Sequence, residues 1–454
     1  MKQTLIKNEC YTAAIEAYSS DASGICHIGG MTVFVPYALK GETIKVRIVK
    51  ALSSYAYGRI EEILQPSPER CVPVCPHYYR CGGCTTQHMT YTEELAYKSA
   101  IVRDSLLHIA HLDYPVGSIT GSEQELGYRN KATYSFTNRN GKIVSGFYRD
   151  RSHDVIPVEN CSIQPEISSR IASFLTDILN RYGFTAFDET TLCGHIRHLF
   201  IRTAHQTGEV IVCITSARGF GEKTEKITAE LVSAFPEIVG VILDIDKIPG
   251  NKLLKGRLHV LWGRDYLIDE LCGLRFRISP LSFYQINSPQ AERLYEKVRE
   301  YAVSKEDDNI LDLYCGIGTI SLYLSRYSGR VIGVEIVEQA IENAKENAMI
   351  NDIRNAEFFC SDAIGFKEYT EQTGFIPDCI VVDPPRKGLD RKTITDICSY
   401  DPERIVYVSC NPATLARDIG VFIENGYEVM DLSVFDMFPK TNHVETVCLL
   451  YRQK

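Results

Sequence analysis

The stretch NILDLYCGIGTISLYLSR, residues 309–326, followed by RVIGVEIV at 330–337, leaves a chain few choices of fold. An apolar, β-branched run ends in Gly316-x-Gly318, continues in a helical pattern, and returns as a second strand ending at Glu335. Strand, glycine turn, helix, strand and acid make half of a nucleotide-binding α/β unit. In that unit the acid takes a ribose diol, and the ligand lies beyond the carboxyl ends of parallel strands. GIGTIS lacks the third glycine of the dinucleotide fingerprint, which weakens an NAD or FAD reading. A cofactor with no pyrophosphate to cradle fits better. After the next strand, EFFCSDA places Asp362 to meet an adenine edge.

Three later segments add chemistry at the same sheet edge. DCIVVDPPRKGLD ends a strand at Asp383, and its two prolines remove two N–H donors and hold the loop extended toward the crevice. IVYVSCNPATLARD, 405–418, ends a strand on Cys410, with Pro412 two residues later. YEVMDLSVFDMF and HVETVCLLYR read as a closing pair of strands joined by PKTN, the second carrying Glu445. A thiol at a strand end is ordinarily a small buried apolar residue, and this chain has 16 cysteines. Here its neighbours suggest more. A thiolate adding to C6 of a pyrimidine makes C5 nucleophilic toward a methyl sulfonium, and the C5 proton must then leave to a base. Cys410 is the candidate nucleophile, Glu445 the candidate base and S-adenosylmethionine the expected methyl donor.

The chain is 454 residues long, 44% hydrophobic and 24% charged, enough for two or three domains of ordinary composition. No apolar run approaches a membrane span, and MKQTLIKNEC lacks a signal-peptide core. A cytoplasmic protein without a membrane partner is expected, and no obligate protein partner is evident. The net charge of −9 argues against nonspecific coating of nucleic acid, yet two local patches are basic. Residues 127–151 hold six Lys/Arg against one acid, interleaved with aromatics, and 247–264 hold five Lys/Arg and no acid. Both suit phosphates and stacked bases, or are simply exposed hairpins.

Residues 1–65 read as five short strands, an OB-like barrel of the kind that binds oligonucleotides. Residues 66–265 read as a mixed α+β region with an amphipathic stretch at 93–111, and 266–454 as the α/β cofactor domain. CVPVCPHYYRCGGC, 71–84, packs four cysteines into fourteen residues. In a reducing compartment that density points to a metal. Cys71, Cys75, Cys81 and Cys84 could hold Zn²⁺, or Cys75, Cys81 and Cys84 with distant Cys161 a [4Fe–4S] cluster.

Taken together, DLYCGIGT, VVDPPRKG, VSCNPATLARD and FPKTNHVE resemble the RNA uracil-5-methyltransferase family over nearly the whole chain. The resemblance implies a Rossmann-like class I methyltransferase domain, an N-terminal TRAM domain that binds RNA, and a central α+β domain carrying the cysteine cluster. It implies Cys410 as nucleophile and Glu445 as base, with Gln285 in SFYQIN, Tyr314, Glu335 and Asp383 binding S-adenosylmethionine. The family's rRNA-directed members share CPxxxxCGGC and a later cysteine, here Cys75, Cys81, Cys84 and Cys161. This favours the [4Fe–4S] set over zinc, makes Cys71 an extra, and tilts the substrate toward 23S ribosomal RNA, with tRNA as the alternative. A non-catalytic RNA-binding iron–sulfur protein is the rival from another class.

Overall fold

A computed structural model describes residues 5–453 apart from 118, 249–253, 363–365, 367–369 and 371. Part of the second basic patch therefore lies outside the described residues. Near the N-terminus a six-stranded sheet runs in the order 10–14, 43–51, 55–65, 31–35, 24–28, 17–18. Its two outer strands are consecutive in sequence, so the sheet curls toward closure around Val33, Val35, Ile44, Val46 and Ile48. Five strands were expected. The sixth is the two-residue piece Ala17–Tyr18, too short to leave an alternating pattern.

The central sheet has seven strands in the order 257–263, 238–245, 210–216, 196–203, 131–139, 142–148, 155–157, with the helices Glu166–Arg181 and Thr224–Ala234 packed on one face. The C-terminal sheet has the order 356–360, 330–335, 309–313, 379–382, 404–409, 445–452, 427–435. Its first five strands are mutually parallel and Glu445–Arg452 runs against its neighbours on both sides. The central strands of this sheet are buried on both faces, which is why they read as unbroken apolar runs.

The helix Tyr91–Ile109 starts at Thr90, whose hydroxyl accepts from the Glu93 N–H. The sequence leaves open which neighbour this stretch packs on; in the structure Val102 and Leu106 join the core that holds Leu311, Ile380 and Ile419 of the C-terminal domain. The hairpin 267–271/274–278 also belongs with that domain: Asn347 and Asn351 side chains accept from the Arg277 and Arg275 N–H groups. No helix of the described residues is long and apolar enough to cross a membrane.

Candidate active site

Cys410 and Glu445 meet because their strands run in opposite directions. The ladder between 404–409 and 445–452 ends with Ser409 opposite Thr446, locked by Thr446 Oγ1 donating to Ser409 O at 3.1 Å. One step further sets Cys410 opposite Glu445, positions whose Cβ atoms stand about 5 Å apart in such a ladder. Pro412 supplies the first turn of the helix Pro412–Glu424, where a missing N–H costs nothing, and Asn411 caps it by accepting from Ala413 N at 3.1 Å. Strand stop and helix start thus hold the thiol between them.

Three acids converge on the same edge. Glu445 is only 3% exposed, and burial holds its carboxyl well above the ordinary range, with the charge of Asp383 adding to the effect. Burial pushes Asp383 up to about 7. Burial also takes Asp312 to about 7; Ser321 donates to its Oδ2, while Oδ1 has no partner. The Cys410 thiol is pushed up to about 11, by burial first and then by Glu445 and Asp383. Arg386 opposes these shifts on both Cys410 and Glu445.

Arg386 is held in place from two sides. Its carbonyl accepts from Asn411 Nδ2 at 3.1 Å and Thr414 Oγ1 at 3.3 Å, and its Nη2 donates to His443 Nε2 at 3.2 Å. A guanidinium only donates, so His443 carries its proton on Nδ1. Burial and the cations Arg386, Lys98 and Arg129 push His443 down to about 4, so it stays neutral. Arg386 therefore links the turn after the nucleophile, through its carbonyl, to the segment before the base, through its guanidinium. Neither Arg386 nor His443 was singled out from sequence, although both lie inside quoted motifs, VVDPPRKG and FPKTNHVE.

The expected donor-binding residues other than Gln285 lie at or just beyond the carboxyl ends of the parallel strands. Tyr314 follows the first strand with φ of 68°, an unusual backbone for tyrosine, and its N–H donates to Val334 O at 2.9 Å. Gly318 has φ of 82°, and a Cβ there would sit 2.9 Å from the Phe358 ring, so glycine is required by both backbone and space. Glu335 accepts from the Ile336 and Val337 N–H groups at 2.8 and 3.0 Å, which fixes its carboxylate at the strand end. Asp362 is exposed, and its charge, with those of Asp390 and Glu335, acts on the Tyr314 hydroxyl after burial has raised it. Gln285 is buried, and its carbonyl accepts from Asn130 Nδ2 at 2.7 Å, stitching the central sheet to this domain. The methyl donor carries a sulfonium and an ammonium. A crevice with buried, incompletely matched carboxyls at Asp312 and Asp383 fits such a cation.

The segment leading into Glu445 is clamped from four parts of the chain. Lys98 Nζ, fully buried, donates to Asp436 Oδ1 at 2.7 Å, Glu94 Oε1 at 2.8 Å and Phe438 O at 3.2 Å. Tyr91 donates to Asp436 Oδ2 at 2.9 Å, and Tyr128 to Pro439 O at 2.9 Å. The Thr85 and Thr86 N–H groups donate to Lys440 O at 3.0 and 3.3 Å, and Asn442 Nδ2 to Ser20 O at 3.2 Å.

Next to that clamp lie the clustered thiols. Burial pushes Cys84 up to about 12 and Cys161 to about 11, and the charges of Cys75 and Cys81 act on both. Cys84 and Cys161 pack on the same small group of Tyr128, Ile163 and Ile286. Cys71 is turned away: its Sγ donates toward Met89 O at 3.1 Å and Gln87 O at 3.4 Å, and the charges on it come from Lys440 and Arg70. The four-thiol zinc set is therefore not assembled. Among the described residues no group of three or more His, Cys, Asp or Glu is placed to hold a metal ion. The charges of Cys75 and Cys81 thus reach both Cys84 and Cys161, but the expected metal centre is not seen as a closed ligand set among the described residues.

Comparison with known proteins gives this geometry its context. Residues 90–453 match the family model described as tRNA (uracil-5-)-methyltransferase, and residues 7–60 match the TRAM domain. An uncharacterized RNA methyltransferase of Oceanobacillus iheyensis is 40% identical over 452 residues, covering 99% of this chain and 98% of that one. One from Clostridium tetani is 40% identical over 445 residues, covering 98% and 96%. Among solved structures, the Pyrococcus abyssi tRNA (uracil-54, C5)-methyltransferase in complex with S-adenosyl-L-homocysteine superposes with a TM-score of 0.77 at 26% identity. That match covers 97% of this chain and all of that one.

Proposed function

This chain belongs to the RNA uracil-5-methyltransferase family and uses S-adenosylmethionine, and from that premise we propose that it methylates C5 of uridine in 23S ribosomal RNA through a Cys410 adduct. The observation that carries the proposal is that Cys410 and Glu445 each lie one position beyond Ser409 and Thr446, the last pair of their ladder, with the Glu445 charge acting on the Cys410 thiol, at the edge of the sheet where Asp383 and Glu335 also stand.

In this reading Gln285, Tyr314, Glu335 and Asp383 hold S-adenosylmethionine, which supplies an electrophilic methyl group. A uridine splayed out of its RNA enters the crevice. Cys410 loses its proton to water and Sγ bonds to C6, so the C5–C6 double-bond electrons move toward C4=O, leaving an enolate. C5 then takes the methyl group. Glu445 removes the remaining C5 proton, the C5–C6 double bond re-forms, and Sγ leaves as thiolate. Arg386 is the cation that offsets the acids around the thiol, so it favours the thiolate before addition.

Cys75, Cys81, Cys84 and Cys161 are the residues that would hold a [4Fe–4S] cluster. Four thiols are the donor set such a cluster takes, and a polynuclear cluster fills the space between ligands that a single ion would draw together. It would supply a staple between the loop 75–84 and residue 161, since methyl transfer moves no electrons between protein and RNA. The cysteine set supports ribosomal RNA as the substrate. The likeness to a tRNA enzyme supports the second reading, tRNA.

The test is methyl transfer from radiolabelled S-adenosylmethionine to unmodified 23S rRNA and tRNA transcripts, beside Cys410→Ala. 5-Methyluridine in 23S rRNA, absent with the variant, is the expected result. The same product in tRNA alone would overturn the substrate, and activity surviving in the variant would overturn the mechanism.

A further inference from the structure

We propose that the outer strand of the central sheet, Arg257–Gly263, is a second RNA contact on which Trp262 stacks an unpaired base of the substrate; this rests on the RNA-methylating reading above. The strand is the free edge of its sheet, paired only with Ile238–Ile245. Along it Leu258, Val260 and Trp262 are 37%, 50% and 42% exposed. A register shift between Val241 and Ile242 skips Leu261, which packs on the central core, and leaves Val260 and Trp262 both facing out.

The surroundings point to nucleic acid. The chain carries a net charge of −9, yet residues 247–264 contain no acid. Among the described residues Lys247 and Arg257 make no ion pair, so their charge is available to phosphate, whereas Lys255 and Arg264 are matched by Asp246 and Glu209. A stable protein partner needs roughly 800 Å² per side, far more than three side chains supply. The bulge and Arg257 also blunt this edge against pairing with another strand. One exposed indole with an unmatched cation, Arg257, about 17 Å along the same strand suits a base stacked on a tracked backbone.

Position fits the same RNA. Trp262 pairs with Val241, Val241 with Val212, Val212 with Ile201, and Ile201 with Ala132, a single row across the sheet. Four strand spacings put Trp262 about 19 Å from Ala132. Ala132 is two residues from Asn130, whose side chain holds the Gln285 carbonyl. The row from Ala132 to Trp262 alone has the length of roughly six stacked nucleotides.

Trp262 is the single tryptophan of the chain, so its emission reports on this strand alone. The full-length protein would be titrated with the 23S rRNA and tRNA transcripts and with a single-stranded 20-mer of uridine, at low and high salt. Methyl-transfer kinetics would be run in parallel on wild type, Trp262→Ala and Arg257→Glu, both substitutions being at exposed positions. The expected result is saturable, salt-sensitive quenching of Trp262 by the transcript that is methylated. Trp262→Ala would raise the RNA KM about tenfold with kcat unchanged, and Arg257→Glu would raise it less. Methylation with unaltered emission and an unaltered KM in both variants would overturn the surface and leave the function standing. Absence of methylated product with wild type would overturn the function, and no binding of any of the RNAs would overturn both. Emission that changes with protein concentration alone, with dimers in sedimentation, would assign the strand to a second copy and overturn the RNA contact.

Discussion

Two groups of buried acids in this molecule have opposite fates. Glu94 and Asp436 lie around the Lys98 ammonium, which donates to both, and Asp436 takes a further hydrogen bond from Tyr91. Asp312 and Glu445 each feel the charge of Asp383, but the opposing cation is Arg386, exposed and acting on Glu445, while Asp312 keeps an oxygen without a hydrogen-bond partner. The first group has its cations inside the fold, Lys98 and also Lys440, which lies 3.6 Å from the Glu94 oxygen that makes no hydrogen bond, and it holds a segment in place. The second waits for something positive from outside. Burial of charge is thus common to structure and function here, and the missing counter-charge is what distinguishes the site.

The comparison breaks most severely at the chemistry itself. Cys410→Ala is expected to lower methyl transfer by roughly 10⁴-fold or more, and Glu445→Gln by about 10²–10⁴-fold. The two should differ in kind. Glu445→Gln would accumulate methylated RNA attached to Cys410, visible as a retarded protein–RNA band in a denaturing gel, whereas Cys410→Ala would form none. Neither should lower the melting temperature, because neither side chain completes a satisfied network.

Lys98→Met tests the matched group. It strands two buried carboxylates and is expected to cost about 3–5 kcal/mol of stability, read by urea titration. A loss below about 1 kcal/mol would show that the network contributes little.

Asp312 tests the unmatched group with the opposite sign. Its folded-state value of about 7 lies above its ordinary 3.8, so the folded protein holds the proton more tightly than the unfolded chain. Stability from this group is therefore fully present below about pH 4 and is lost as pH rises to about 7. Asp312→Asn should remove that decline, giving a protein more stable than wild type by roughly 4 kcal/mol at pH 8, with a higher KM for S-adenosylmethionine. Parallel stability–pH curves for the two proteins would refute the unmatched state. The smallest expected effect is Tyr91→Phe, which removes one hydrogen bond to Asp436 and should cost about 1 kcal/mol, with kcat unchanged at saturating substrate.

Much of this comparison was legible in the residues alone, and the legible part has a common cause. Strands 309–313, 330–335, 379–382 and 404–409 are buried on both faces, so they appear as apolar runs, and the residues that follow them are the chemical ones. Asp383 and Cys410 announce themselves by position. Glu445 was readable for the same reason in reverse, as the first residue of the strand that runs the other way. The matched group was invisible because Lys98 and Asp436 lie 338 residues apart, and no local pattern encodes that pairing. Arg386 was hidden differently. Its motif was quoted, but the significance of a guanidinium there depends on His443 standing 3.2 Å away. The helix 91–109 shows a third limit: an apolar stripe says that a face is buried and not which neighbour covers it.

The clamp on residues 436–443 has a consequence for when the protein becomes an enzyme. Its hydrogen bonds come from the barrel at Ser20, the cysteine loop at Thr85 and Thr86, the helix at Lys98 and Tyr91, and Tyr128 before the central sheet. A half-assembled chain could build its methyl-donor pocket from local strands and still lack a fixed Glu445. The segment behaves as a logical conjunction, true only when all four of those parts have docked. With Glu445 as the base proposed above, such wiring would make assembly itself a checkpoint on the chemistry.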